Sequence, residues 1–336
     1  VLERYVSHIR THKTASGAQK DVYYLREMFG AVCPALKITS RNVSAACRRR
    51  PPLAAAGGDR RRRSPIIEAS CFEQITPRHV STFIAGQVQS RNLAPKTANH
   101  YRQILCRVFN WAMSEGGIRI PGDKNPVTLV KKYRERAPEI TFLTLPQIDQ
   151  QLAVLSPNPR LKAMVATLIF AGLRREELLW LRDEDVDFAA GTHGMIRVRA
   201  KTVDGQSWQP KTKINRVVPI SSTLRRHLDV WTKTRILSAG GWYFPSSTGK
   251  RYDIDNFSRD LRAANESAGL RWSCLDYRHT FGSQLAMKGE SLYKIASLMG
   301  NSPAICQRHY AALTPESLIA SVEFADAAKA TETSDA

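Results

Sequence analysis

The sequence predicts a mainly α protein with a small antiparallel β-sheet (α+β), divided into two domains. Three observations predict it. Apolar residues recur at helical spacing over most of the chain, as in Tyr101, Ile104, Leu105, Val108, Phe109 and Ala112. Only two short segments read as strands: Met195 to Ala200, which alternates Ile196, Val198 and Ala200 with Arg197 and Arg199, and Arg216-Val217-Val218-Pro219-Ile220. Between two helical regions lies a polar, basic stretch, Lys131 to Pro138, with the composition of an interdomain linker.

Taken in order, Leu2, Tyr5, Val6 and Ile9, then Val22, Leu25, Met28 and Phe29, mark helices within residues 1–30. Residues 41–64 lose all periodicity: Arg48-Arg49-Arg50-Pro51-Pro52, an Ala/Gly run and Arg60 to Arg63 read as a flexible basic insertion. Thr76-Pro77 is a helix start, followed by Val80, Phe83, Ile84 and Val88. A second helix follows Ala94-Pro95 and ends at Gly116-Gly117; Asn125-Pro126 begins a turn. These elements form a helical domain over 1–130, with a linker over 131–142. A second domain over 143–326 opens at Leu143-Thr144-Leu145-Pro146, where Thr144 is the cap candidate. Its first apolar face is Leu161, Met164, Val165, Leu168 and Ile169. After the two strands, helices are expected over 255–268, 277–288, 291–299 and about 315–326, then a disordered tail over 327–336.

The chain of 336 residues carries a formal charge of +20, unevenly spread. Residues 1–140 hold 25 Lys+Arg against 10 Asp+Glu; residues 141–336 hold 25 against 20. Such an excess points to a polyanionic partner, nucleic acid before an acidic membrane surface, the bland alternative being a solubilising surface. No apolar run approaches a membrane span and the N-terminus does not read as a signal peptide, so a cytoplasmic location is expected. The first residue is Val1, so either the start is unusual or residues precede it. Six cysteines form no Cys-x-x-Cys pair and read as reduced thiols. No cluster has metal-ligand spacing, and Ser246-Ser247-Thr248-Gly249-Lys250 lacks the glycine spacing of a phosphate-binding loop, so no cofactor is expected.

Four boxes of residues carry chemistry. Gly172-Leu173-Arg174 is followed by Glu177, three residues on and on the same helical face, able to hold the guanidinium. Lys211-Thr212-Lys213 precedes Arg216-Val217-Val218-Pro219. Arg278 follows Leu275-Asp276-Tyr277, and Tyr310 closes a segment that starts at Met299-Gly300-Asn301. Arginine forks grip two phosphate oxygens at once, which lysine cannot do. Together the boxes offer two phosphate clamps, a proton donor and a nucleophile: a set suited to breaking a phosphodiester without metal or nucleotide. Each has a plainer reading, as a surface Arg–Glu pair, a core-edge arginine, a loop lysine or a packed tyrosine. Trp180, Trp242 and Trp272 read as core.

In these boxes and their spacing the chain resembles the tyrosine recombinases, the phage integrase family of DNA strand-exchange enzymes, over about residues 70–315. It is similar to the simple Xer- and integron-type site-specific recombinases of mobile genetic elements, no further domain being expected ahead of the core-binding helices unless residues before Val1 were lost. The resemblance implies a helical core-binding domain and a catalytic domain closing as a clamp on duplex DNA. It implies that Tyr310 attacks a phosphate to form a 3′-phosphotyrosyl link, that Arg174 and Arg278 hold the phosphate, and that a hairpin lysine protonates the departing 5′ oxygen. Lys211 fits that lysine by its interval to Val218-Pro219; Lys201 and Lys213 remain open alternatives. A homotetramer on paired double-stranded DNA sites, an accessory directionality factor, no metal or ATP and work at the nucleoid also follow from the resemblance.

Two positions depart from the family pattern. The family histidine three residues before Arg278 is Leu275, which can neither accept a proton nor bind phosphate. The second histidine or tryptophan position is Asn301, a hydrogen-bond donor but no base. Both imply slowed chemistry unless another group substitutes. His279, beside Arg278, is expected to point another way, and His309 is an equally weak stand-in. Two rival functions stay open: a DNA-binding relative with impaired catalysis, and a type IB topoisomerase-like nicking-closing enzyme.

Overall fold

A computed structural model of the chain describes residues 1–37, 66–136, 140–235, 237–238 and 240–313. The basic insertion expected over 41–64, the helix about 315–326 and the tail over 327–336 lie outside the described residues, as does 137–139 within the expected linker. The chain divides into two compact units, Val1–Pro138 and Glu139–Ala336.

The first unit is built from α1 (Leu2–His12), α2 (Ala15–Phe29), α3 (Pro77–Arg91) and α4 (Pro95–Met113). Prolines open α3 and α4, where a missing N–H costs nothing. Thr76 caps α3: His79 N donates to its Oγ1 at 3.4 Å. The apolar stripes read from the sequence, Tyr5, Val6 and Ile9 on α1 and Tyr101 to Ala112 on α4, are the faces that meet in one core with Val80, Phe83 and Ile84.

The second unit has eight helices among its described residues. α5 (Leu145–Val154) starts at Thr144, whose N–H donates to Gln147 Oε1 at 2.9 Å. α6 (Pro159–Ala171) is buried on nearly all sides, as its run Met164 to Ile169 demands, with α8 (Ser222–Thr234) and α10 (Cys274–Met287) packed against it. α7 (Arg175–Leu179) follows α6, α9 (Ile254–Glu266) precedes α10, and α11 (Leu292–Met299) and α12 (Pro303–Tyr310) come last, followed by a single 3-10 turn over Ala311–Leu313.

Five short strands complete the unit. β1 (Val186–Asp187), β2 (Met195–Val198) and β5 (Arg216–Pro219) form an antiparallel sheet in the order β1-β2-β5, with Met195 opposite Pro219 and Val198 opposite Arg216. Ile196 and Val198 are buried, as the alternation requires. β3 (Lys201–Val203) and β4 (Gln206–Trp208) form a separate hairpin. Its turn is Asp204-Gly205, both at positive φ (50° and 73°), the conformation that two-residue hairpins favour.

Three helix assignments differ from the sequence expectation, and one of them, α8, has no counterpart in it. α10 begins at Cys274 rather than 277, because Asp276 Oδ2 accepts from Ser273 N at 2.8 Å and so starts the helix earlier. This puts Leu275 and Arg278 on one helix. α12 is not expected from apolar periodicity at all, yet it carries Tyr310 as its last residue. Its signal is the Ser302-Pro303 start, with Ser302 Oγ accepting from Ile305 N at 3.4 Å.

Candidate active site

The site is assembled at the C-terminal end of α11. A helix leaves its last carbonyls without intrahelical donors, and that end carries partial negative charge. Here three consecutive carbonyls each take a different arginine. Arg216 Nε donates to Leu298 O at 2.9 Å, Arg278 Nη2 to Met299 O at 2.7 Å, and Arg174 Nη2 to Gly300 O at 2.6 Å. These arginines come from the start of β5, from α10 and from the residue before α7. Gly300 terminates α11 at φ 62°; a Cβ there would lie 2.9 Å from the Arg216 guanidinium, so both conformation and space require glycine.

Two side chains tie the arginines together. Asn301 Oδ1 accepts from Arg174 Nη2 at 2.7 Å and from Arg278 Nη2 at 2.9 Å. Guanidinium groups have only donors, so the amide must present its oxygen to them. The Asn301 side chain also hydrogen-bonds the Cys306 thiol on α12. Glu177, with its side chain 1 % exposed, accepts from Arg174 Nη1 and N at 2.8 Å and from Arg216 Nη1 and Nη2 at 3.0 and 2.6 Å. Burial pushes the Glu177 carboxyl up, but the hydrogen bonds and charges of Arg216 and Arg174 outweigh it and hold the group at about 2. Arg278 is 6 % exposed; burial, with Arg174 beside it, pushes it down to about 10, so it stays charged at neutral pH. Three guanidinium groups against one carboxylate leave the pocket cationic.

Arg278 also donates to the carbonyl of Gly172, the αL residue (φ 61°) that ends α6. A Cβ on Gly172 would overlap the Phe281 ring at 2.3 Å. The Gly-Leu-Arg box thus supplies both an acceptor for one arginine and the other arginine itself.

Tyr310 is 1 % exposed and packs with Ala286, Ile295, Ala296, Met299 and Cys306. Its ring lies against Gly282, one turn beyond Arg278; a Cβ there would come within 2.4 Å of Cζ. The Tyr310 phenol is 3.0 Å from His279 Nδ1. Burial pushes its pKa up to about 12, against the pull of the Arg278 charge. The expectation that His279 points away is therefore corrected: Arg278 and His279 are adjacent on α10, so their side chains diverge by about 100°, and that angle carries His279 onto the phenol. The ring of His309 lies 5.5 Å from that of His279.

The lysines separate by environment. Lys201, on β3, is nearly buried: its ammonium pairs with the buried Asp185 and donates to Trp180 O at 3.0 Å. Lys211 and Lys213 are exposed, on the turn that leads into β5, with no ion pair among the described residues; Lys213 is at φ 58°. Leu275 is 62 % exposed on the first turn of α10 and makes no part of the arginine network.

Arg216 and Gly282 belong to this candidate site although motif reading passes over them, while His279 figures in that reading only as a weak stand-in. Arg216 was accessible to it: a period of two places it on the same face of β5 as buried Val218, and an inward arginine needs partners. Among the described residues no group of three or more His, Cys, Asp or Glu could hold a metal, and no helix is long and apolar enough to cross a membrane.

The family model described as the phage integrase family matches residues 141–317. The chain is 29 % identical over 184 residues to a tyrosine recombinase of Pseudothermotoga lettingae, covering 54 % of this chain and 59 % of that protein. It is 25 % identical over 246 residues to a XerC-like tyrosine recombinase of Caldanaerobacter subterraneus subsp. tengcongensis, covering 65 % and 62 %. The matched regions thus span about three fifths of these relatives. In fold it resembles a lambda integrase tetramer bound to a Holliday junction, with a TM-score of 0.61 at 15 % identity, over 90 % of this chain and 76 % of that one.

Proposed function

The chain belongs to the phage integrase family, and from that membership and the arginine geometry we propose that it is a tyrosine site-specific recombinase acting on double-stranded DNA. Arg174 and Arg278 grip the non-bridging oxygens of the scissile phosphate. The observation that carries this reading is their convergence on one oxygen: 104 positions apart in sequence, both arginines donate to Asn301 Oδ1, at 2.7 and 2.9 Å. A phosphate oxygen entering there would find two charged donors already aimed at it. Glu177 holds both Arg174 and Arg216, and the carbonyls at the C-terminal end of α11 hold all three arginines, so little reorganisation is needed when the phosphate arrives.

In this reading Tyr310 attacks phosphorus, forming a 3′-phosphotyrosyl bond, and Lys211 gives a proton to the departing 5′ oxygen. Exposure of Lys211 and its position five residues before Arg216 support it over Lys201, whose ammonium is engaged by Asp185. Attack by the 5′-hydroxyl of a partner strand reverses the step, and the bond energy kept in the covalent intermediate removes any need for ATP. Strand exchange between two duplexes calls for a homotetramer on paired sites, the assembly described for lambda integrase on a Holliday junction, with an accessory directionality factor choosing between joining and excision. Such an enzyme works at the nucleoid. Leu275 and Asn301 favour one rival, a DNA-binding relative with slowed catalysis.

A single assay tests both. The protein is incubated with nicked suicide duplexes made from DNA flanking its gene, then run on a denaturing gel. A recombinase gives an SDS-resistant adduct that Tyr310→Phe abolishes while duplex binding stays near wild type. Adducts from the Phe variant would overturn the nucleophile, and binding without adducts from wild type would establish the rival.

A further inference from the structure

A phenol pushed up to about 12 by burial needs a proton acceptor to attack phosphorus at neutral pH. Leu275 cannot be that group, and its side chain lies exposed on the first turn of α10. Asn301 cannot be it either, since an amide takes no proton and its oxygen is engaged by Arg174 and Arg278. Among the described residues the titratable side chain hydrogen-bonded to the phenol is His279, with Nδ1 3.0 Å from Oη. The contact is built in. Gly282, one turn along α10, leaves the space the phenol ring fills, and the burial of Tyr310 in the α11–α12 packing holds it against that face.

We propose that His279 is the proton acceptor for Tyr310, standing in for the histidine missing at position 275. The inference rests on the recombinase reading of the site. In the forward step the Oη proton passes to Nδ1 as the Oη–P bond forms and the P–O5′ bond breaks, and O5′ leaves as a hydroxyl with a proton from Lys211. In the return step the entering 5′-hydroxyl gives its proton to the lysine, the Oη–P bond breaks, and Oη recovers the proton from His279.

The surroundings suit an acceptor. On its own helix His279 faces Asp276 and Arg278; from α12 it faces His309 and Tyr310. Burial, then the His309 and Arg278 charges, hold the imidazole at about 4 against the opposing pull of Asp276. The ring is therefore neutral at pH 7 with a nitrogen free to accept. A value that low makes a weak base, and the entering phosphodiester, being an anion, raises it toward the working range.

The test is single-turnover cleavage of the nicked flanking-DNA duplex by wild type, His279→Ala, His279→Asn and Leu275→His across pH 6–9, with duplex binding measured on the same preparations. Wild type should lose rate only toward the acid end of the range, where His279 takes up a proton, and be flat above it. His279→Ala should cleave about 10²-fold or more slowly at pH 7, with a rate that climbs as hydroxide replaces the lost base. His279→Asn keeps a hydrogen-bond acceptor of similar size but takes no proton, so it should be as slow as the alanine variant. A 5′-bridging sulfur in the substrate makes a leaving group that needs no acid, and it should leave both defects in place. Rescue of the rate by asparagine, or an alanine variant matching wild type in rate and pH profile, overturns the proposal. So does a large gain from Leu275→His, which would show that the acceptor is missing. If wild type forms no adduct at any pH while still binding duplex, the recombinase reading itself has failed, a result distinct from a wild type that cleaves and a His279→Ala that cleaves equally well.

Discussion

An arginine fork can hold two oxygens of one phosphate; an ammonium offers a single point charge. Arg174 and Arg278 each use their forks on two or more acceptors already, which fixes the planes of both groups before any DNA arrives. Arg174→Lys and Arg278→Lys should therefore keep duplex affinity within a few-fold. Cleavage should fall about 10²–10³-fold, the loss typical of a donor to charge that develops in the transition state. Near-normal single-turnover rates in either variant would count against the site. Two of the three candidate lysines, Lys211 and Lys201, are separable by the same logic. If Lys211 protonates the 5′ oxygen, Lys211→Ala should be slow on ordinary DNA and restored on a 5′-bridging sulfur substrate, whose thiolate leaves unaided. Lys201→Ala, which strands buried Asp185 without its ammonium, should show no such rescue. A rescue confined to Lys201→Ala would move the role to the hairpin. Arg174, Arg278, Glu177, Asn301 and Tyr310 were visible in the sequence because their spacing is fixed by short rigid elements. His279 was visible as a residue but not as a partner, since its target lies 31 positions away and the angle between adjacent helical side chains decides which one meets it.

At the scale of elements, the site depends on how closely α10 and α12 approach. Gly282 in the middle of α10 costs roughly 1 kcal/mol of helix propensity relative to alanine, so Gly282→Ala would stabilise the helix if space allowed. It does not: the new Cβ would sit 2.4 Å from Tyr310 Cζ and 2.7 Å from its Oη, inside contact distance. Overlap of that depth outweighs the propensity gain, so the phenol must shift off His279. Gly282→Ala should bind duplex like wild type, lose most of its covalent adduct, and show no gain in thermal stability. A variant that melts higher and cleaves normally would mean that Tyr310 has room the packing denies it. Strands β2 and β5 and most helices were legible from periodicity, because their apolar faces bury where the pattern says; β1 and α8 were not among the expected elements. The β3–β4 hairpin and α12 were not, because each is too short for a period to register. Local chemistry marked both instead: Asp204-Gly205 at the turn and Ser302-Pro303 at the helix start.

Across the whole molecule the charge is divided as the chain is. Each unit has its own apolar core, one centred on α1, α2 and α4 and the other on α6. The excess of 15 positive charges lies in residues 1–140, against 5 in the remainder. In the second unit the three site arginines are spent on Glu177, Asn301 and helix carbonyls, which leaves fewer of its cations for sequence-independent backbone contact. In the first unit Arg78, Lys131 and Lys132 line one cavity of about 460 Å³ beside Tyr133. Each phosphate neutralised should add about 0.9 to the slope of log affinity against log salt. The full chain should therefore have a steep slope, and a fragment starting at residue 141 a much shallower one. Replacing Arg78, Lys131 and Lys132 together by alanine in the full chain should reduce the slope by up to about 3 without slowing cleavage of saturated complexes, because none of the three belongs to the arginine network. The measurement is duplex binding from 50 to 400 mM salt for all three proteins, paired with single-turnover cleavage at saturating protein for the full chain and the triple variant. Equal slopes for the full chain and the fragment would place the phosphate contacts in the second unit, and the division of labour between the units would have to be abandoned.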